Sequence, residues 1–231
     1  MNLLATFLQR AILQGVPILY GASGEILTEK SGNLNLGIPG IMYMGGVSGL
    51  IAAFFYERAA GERASGLVGL FLSLGAALLI SMLAGLLYSF LTVTLRANQN
   101  VVGLSLTTFG VGFGNFFGGS LSQLAGGVGQ ISTKLTAAAY RQSLPGLSKF
   151  PFVGKAFFSF GFLTYFSIIL ALCLAFVLTG TRKGLEIRAV GEDPAAADAA
   201  GVDVNRVKYV STVLGAALAG LGGLCFVMEY L

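Results

Sequence analysis

The chain of 231 residues contains no histidine and only two cysteines, and charged residues make up 10% of it. Each shortage excludes something. Without histidine and with two cysteines, no Cys/His metal cluster of ordinary spacing can be written. The same absence removes Ser–His and Cys–His nucleophile pairs, and no Ser–Lys dyad falls within an apolar run, so an intramembrane enzyme finds no machinery. A soluble globular domain carries about 25% charged residues, so this chain is not built for water. The net charge of +4 is a mild excess spread over connections, with no basic patch suited to nucleic acid. No glycine-lysine loop of the Walker type occurs, so ATP hydrolysis is not expected of this chain itself. Met1-Asn2-Leu3-Leu4 has no charged n-region and no small-residue cleavage site follows, so no cleavable signal peptide is expected.

What is abundant is apolar: 55% of the residues are hydrophobic, and 34 are glycine. A bilayer span takes ~20 apolar residues, and glycine lets helices approach closely in lipid. The expected fold is all-α, a polytopic transmembrane helix bundle of roughly six spans at that length, forming a single domain over residues 1–231. The runs read as Leu3–Ile26, Gly40–Phe55, Gly66–Leu95, Val101–Phe117, Lys155–Leu178 and Val207–Leu231. Pro17 predicts a kink in the first, and Arg10, near its end, is placed to snorkel. Cys173 and Cys225 both fall in apolar runs and read as small buried hydrophobes.

The run Val101–Phe117 is barely long enough to span. Gly103, Gly110, Gly112 and Gly114 interrupt it, with Ser105, Thr107, Thr108 and Asn115 among them. Broken, polar backbone at membrane depth is tolerated where it is buried in protein or lines a cavity. A short or re-entrant helix beside a solute path is the expectation, with Gly110 on that path. Uncharged polar groups and an aromatic face suit a flat, hydroxylated solute, which makes Asn35, Ser105, Thr107, Thr108, Phe109 and Asn115 the candidate path residues.

One segment is unlike the rest. Thr181–Lys208 holds five of the ten acidic and five of the fourteen basic residues, so it lies outside the bilayer. Within it a short helix has both ends specified. Asp193 is a good N-cap and Pro194 suits the first helical position. Ala195 to Ala200 are strong helix formers, and Gly201 supplies a left-handed stop. Two turns with methyl-sized faces are marginal alone and cannot anchor in lipid. The residues leave two readings open: a docking element for another protein, or a packed surface turn.

Three stretches carry a family resemblance. Gly180–Tyr209, GTRKGLEIRAVGEDPAAADAAGVDVNRVKY, resembles the coupling loop of ABC-importer permeases serving branched-chain amino acids, simple sugars and nucleosides. Gly24–Gly37, GEILTEKSGNLNLG, followed by Gly40-Ile41-Met42, is similar to a signature of the nucleoside and simple-sugar branch, and so is Leu95–Leu104, LRANQNVVGL. Where that branch has a glutamate ahead of its Gly-Met-Met, this chain has Pro39.

The resemblance implies an importer permease for nucleosides or related sugar-like solutes, in the bacterial cell membrane. It implies a second permease subunit, cytoplasmic ABC ATPase subunits that use the ATP, and an extracellular substrate-binding lipoprotein. No cofactor of its own is implied. Arg188, Gly191, Glu192, Asp193, Pro194, Ala195, Ala196, Asp198 and Gly201 would couple to the ATPase, in a cytoplasmic loop 181–208, with 118–154 an extracellular loop. Members continue for several helices beyond the position of Leu231, so a shortened permease is expected. Seven basic residues fall on the inner side of this arrangement and six on the outer, so charge does not orient the chain; the resemblance does. The alternative is a secondary transporter or channel that works without ATPases. Such carriers commonly place carboxylates mid-span, whereas Glu25 and Glu229 lie near span ends.

Overall fold

The computed structural model describes residues 2–124, 133–142 and 160–230. All the regular structure among them is helical: α1 (Asn2–Lys30), α2 (Ile38–Ala60), α3 (Gly66–Ser89), α4 (Gln99–Leu124), α5 (Lys134–Tyr140), α6 (Phe162–Gly180), α7 (Arg182–Glu192), α8 (Pro194–Ala199) and α9 (Val204–Tyr230). Five segments are long and apolar enough to cross a membrane: 38–63, 66–94, 99–120, 162–180 and 204–229. Together with α1, 29 residues long, they give the six-rod bundle that composition predicts. α1 runs on through Pro17. The chain is a multi-pass membrane protein.

Local chemistry sets the element boundaries. Pro39 sits in the first turn of α2, where no N–H is required of it. α3 loosens into a π-turn at Phe90–Thr94, with Leu95 N–H donating to the Phe90 carbonyl at 3.0 Å, and stops at Arg96, whose φ is 55°. Asn98 Oδ1 caps α4 by accepting from Asn100 N (3.0 Å) and Val101 N (3.2 Å). Thr181 caps α7, accepting from Gly184 N at 3.1 Å. Asp203 caps α9, accepting from Arg206 N at 2.9 Å. An unsatisfied helix N-terminus exposes free N–H donors, and each cap removes one or two.

α9 lies at the centre and packs on α1, α2 and α3. Glycine makes the contact possible at backbone distance. A methyl group at Gly46 would stand 2.7 Å from the Gly223 carbonyl oxygen, and one at Gly45 would stand 2.7 Å from Gly220 Cα. Lipid supplies no hydrophobic drive between helices, so close backbone packing of this kind does the work. Around the seams are two cores. One gathers Tyr20, Ala77, Tyr140, Leu224 and Met228; the other gathers Ile41, Ala84, Tyr88, Leu106 and Ala219. Cys225 is buried as expected, but Cys173 is exposed on α6, whose face there meets no other helix among the described residues.

Two further expectations change. The segment read as Val101–Phe117, short or re-entrant, is the continuous 26-residue helix α4. Glycine costs about 1 kcal/mol per residue in an isolated helix. Here that cost is met by contact, since α4 lays Gly103, Gly110 and Gly114 against residues 36–43. Gly110 therefore lies in the seam with α2, facing the Gly40 backbone, and not on an open path. Of the expected loop 118–154, residues 118–124 complete α4 and 134–140 form α5; 125–132 and 143–154 lie outside the described residues. So does 155–159, the expected start of the next span.

The chain alternates between two ends. Lys30, Arg96 and α7–α8 share one end; the turn 61–65 and α5 share the other. α5 is fastened there: Thr136 N donates to Glu57 Oε1 (2.7 Å), Tyr140 and Ser73 share a hydrogen bond (2.8 Å), and Arg141 Nη2 donates to the Glu229 carbonyl (2.8 Å).

Candidate functional site

The two-turn helix is present as its caps require. Asp193 Oδ1 accepts from Ala195 N and Ala196 N, each at 3.0 Å. Gly201 takes φ +84°, and Gly201 N donates to the Asp198 carbonyl at 2.8 Å while Val202 N donates to that of Ala197 at 3.0 Å. Ala197 alone is buried, leaning on its neighbours. Pro194, Ala195, Ala196, Asp198, Ala199 and Ala200 are exposed, so nearly the whole of α8 stands free of this chain.

α8 does not stand alone, because α7 ties it to the bundle. A methyl group at Gly191 would run into the Lys30 carbonyl oxygen, and one at Gly32, with φ +82°, would stand 3.3 Å from Gly191 Cα. This pair of close approaches joins α7 to the loop 31–37. Glycine is required on both sides: for room at Gly191, and for the left-handed backbone at Gly32.

That loop is bonded to four helices. Asn33 Nδ2 donates to Thr212 Oγ1 on α9 (3.0 Å). Leu34 N donates to Gln99 Oε1 on α4 (2.8 Å), and Gln99 Nε2 donates to the Gly32 carbonyl (3.3 Å). Tyr88 on α3 donates to the Leu34 carbonyl (2.6 Å), and Asn35 N donates to Glu25 Oε1 on α1 (2.9 Å). Thr107 on α4 donates to the Leu36 carbonyl at 2.7 Å. The three motif segments, distant in sequence, thus meet at one end of the bundle. Buried backbone groups need such partners, and here side chains from other helices provide them. Among the described residues two buried side-chain atoms of this cluster lack a hydrogen bond, Glu25 Oε2 and Asn35 Nδ2.

The candidate path residues divide. Asn35 and Thr107 belong to the loop cluster, Asn35 being 1% exposed. Ser105, Thr108 and Phe109 lie on the open face of α4. Ser105 and Phe109 line a shallow apolar groove of about 280 Å³ with Tyr88, Leu91 and Val101. Thr108 donates to its own helix at the Leu104 carbonyl (3.0 Å), leaving its oxygen able to accept. Asn115 stands apart, accepting from Tyr43 at 3.2 Å. The six do not form one ring.

Glu25, Tyr88, Gln99 and Thr212 emerge only from the structure. Glu25 and Gln99 lie within motifs quoted above, while Tyr88 and Thr212 sit in apolar runs that carry no signal. Among the described residues no group of three His, Cys, Asp or Glu is placed to hold a metal.

A glycine-seamed membrane bundle with an exposed, capped helix tied to it through Gly191 fits a class of membrane transport subunit. The chain belongs to the permease component family of branched-chain amino acid transport systems, whose profile matches residues 7–231. It is 31% identical over 226 residues to the guanosine ABC transporter permease protein NupQ of Bacillus subtilis, covering 96% of this chain and 67% of that one. The nucleoside ABC transporter permease protein NupC of Lactococcus lactis is 32% identical, with 96% and 67% covered. A putative glucose ABC transporter permease protein, TsgC13, of Haloferax volcanii is 30% identical, with 96% and 63% covered. The chain therefore spans about two thirds of the length of these relatives. No solved structure gives a significant match.

Proposed function

We propose that this chain is the membrane-spanning subunit of an ATP-driven importer of nucleosides or related sugar-like solutes. It works with a second permease, cytoplasmic ATPase subunits and an extracellular substrate-binding lipoprotein. Residues 1–231 act as one transmembrane domain, with 181–208 cytoplasmic and 118–154 outside. ATP is bound and spent by the partners.

The observation that carries this reading is α8: a doubly capped helix that exposes almost every residue and adjoins α7, which packs on the bundle through Gly191. A helix of this size is too short to hold itself in water, so its surroundings must favour it. A groove on an ATPase does so. Movement of α8 would reach loop 31–37 through the Gly191–Gly32 contact, and from there α3, α4 and α9. Arg188, Gly191, Glu192, Asp193, Pro194, Ala195, Ala196, Asp198 and Gly201 form the coupling element. The open face of α4, with Ser105, Thr108, Phe109 and Asn115, borders the solute path; Asn35 and Thr107 link that face to the loop.

The test is uptake of radiolabelled guanosine and glucose by vesicles holding the permease pair, ATPases and lipoprotein. Uptake should need ATP and should be lost when Pro194–Ala196 are replaced by three acidic residues, with the protein still inserted. Uptake that persists without the ATPase subunits would falsify the reading and leave a secondary carrier in its place.

A further inference from the structure

Beside α8 lies a cleft of about 280 Å³, between the end of α1 and α7, lined by Ile26, Glu29, Lys30, Arg188, Gly191 and Glu192. Four of these six residues carry charge. Among the described residues none of the four takes part in an ion pair, and the bridges on α7 join Arg182 and Lys183 to Glu186. Glu29, Lys30 and Glu192 are exposed, so water satisfies them. Arg188 differs: it is half-buried, and its Nε is shut off from solvent with no hydrogen-bond partner. Holding a guanidinium there without a partner is costly, and a carboxylate that meets its accessible nitrogens from the cleft, rather than the sealed Nε, offsets part of that cost.

We propose that this cleft receives an acidic side chain of the cytoplasmic ATPase partner, with Arg188 as its counter-ion. The inference rests on the importer reading above and extends it from α8 to the end of α1. Three observations select the occupant. The underserved group is a cation, so the guest is an anion. The rim acids Glu29 and Glu192 repel a multiply charged guest such as a phosphate, but leave room for a single carboxylate between Arg188 and Lys30. And α8 alone, two turns long, offers far less than the ~800 Å² per partner of a standard interface, so the contact must continue onto neighbouring surface. The cleft is that neighbour, because Glu192 lies one residue before the Asp193 cap. Its floor is the Gly191–Lys30 contact, so a guest seated there bears on α7 and on loop 31–37 together.

The experiment uses the assembled transporter in detergent. Arg188→Gln should lower the apparent affinity for the ATPase subunits about tenfold, as loss of a partly desolvated charge pair does. Arg188→Lys, which keeps the charge, should hold most of it. Zero-length carbodiimide coupling of the Arg188→Lys protein should join position 188 to an Asp or Glu of the ATPase, read by mass spectrometry. Unchanged ATPase affinity in Arg188→Gln overturns the proposal, as does coupling of position 188 only to Glu29 or Glu192. Loss of bound anionic phospholipid from Arg188→Gln with ATPase affinity intact overturns it in favour of a lipid headgroup. Replacing Pro194–Ala196 by acids is the control that separates the two readings. If that change releases the ATPase and Arg188→Gln does not, only the cleft proposal falls. If neither change releases it, the importer reading falls as well.

Discussion

α4 and α6 are buried to the same small extent, 22% of the residues in each membrane-length window, yet their mean hydropathies are 1.3 and 2.4. The open face of α6 is Phe166, Ile169, Leu172 and Phe176, each at least 44% exposed. That is what hydrocarbon tolerates. The open face of α4 interleaves Phe109 and Phe116 with Ser105, Thr108, Gly112 and Asn115. In a membrane, exposure in the isolated chain therefore has two meanings. α6 is exposed because lipid is its natural neighbour. We read the mixed face of α4 as meeting something more polar than lipid, which in the proposed importer would be the solute path or the second permease beside it.

The largest expected effect comes from the hidden side of α4. Gly110→Leu sets a side chain against the Gly40 backbone, where even a methyl group has no room. Overpacking of that kind costs 1–3 kcal/mol in side-chain cores, and backbone cannot yield as a side chain does, so about 3 kcal/mol or more is expected. Thermal unfolding in detergent, read by size exclusion, should show this variant unfolding well below the parent. Ile169→Leu, on the open face of α6, should unfold with the parent.

Next is the open side. A methyl group at Gly112 would meet nothing within 4 Å among the described residues, and leucine suits both helix and hydrocarbon. Gly112→Leu should fold normally and lose at least about tenfold in uptake, the ratio corresponding to about 1.4 kcal/mol. Cys173→Leu, the matching change on α6, should transport normally. Equal uptake by both variants would mean that lipid covers both faces, and the contrast between α4 and α6 would collapse.

Thr108→Val should do less. The hydroxyl proton is committed to Leu104, so a solute can use only the oxygen as an acceptor. Loss of one neutral hydrogen bond weakens solute binding by about 0.5–1.5 kcal/mol. Equilibrium binding of the transported nucleoside to the reconstituted complex measures it. A change confined to folding stability, with affinity intact, would return Thr108 to a role within its own helix.

How much of this was legible follows from whether the governing chemistry is local. α8 was readable to within a residue because Asp193, Pro194 and Gly201 act on backbone beside them. That the chain forms a bundle of several spans was readable because span length is set by the bilayer. The bonding of loop 31–37 was not, since Tyr88 reaches a carbonyl 54 residues away and Asn33 a hydroxyl 179 residues away. Nothing in an apolar run announces such a partner. α4 was misjudged for a related reason. Gly103, Gly110 and Gly114 look like interruptions until residues 36–43 are known to press against them. Residue type, which points to the path candidates, is blind to face, so the structure splits them between a sealed loop and an open surface.

The smallest effect concerns how α6 is held, and it separates the two helices a second way. α6 ends against α7, where Gly184 packs on the backbone of Val177 and Leu178. α7 is in turn braced by Glu186, which meets Lys183 at 2.7 Å and Arg182 at 3.5 Å. The hydrogen bond from Lys183, with the charges of Lys183 and Arg182 behind it, holds the Glu186 carboxyl below its ordinary value of 4.5. A carboxyl depressed on folding stabilises the folded state above its unfolded pKa, and that stabilisation drains away as pH falls through the lower, folded value. Acidification below about pH 4 should therefore loosen α7 and the end of α6, while α4, capped by the neutral Asn98, stays as it was. Hydrogen exchange on the reconstituted protein between pH 6 and pH 3, corrected for the intrinsic rate, should show protection falling at 178–186 and holding at 99–110. Glu186→Gln should abolish that pH dependence. Salt should reduce it as well, because these side chains are screened by solvent ions. Protection falling equally in both helices would place the acid response in the bundle as a whole and not in this brace.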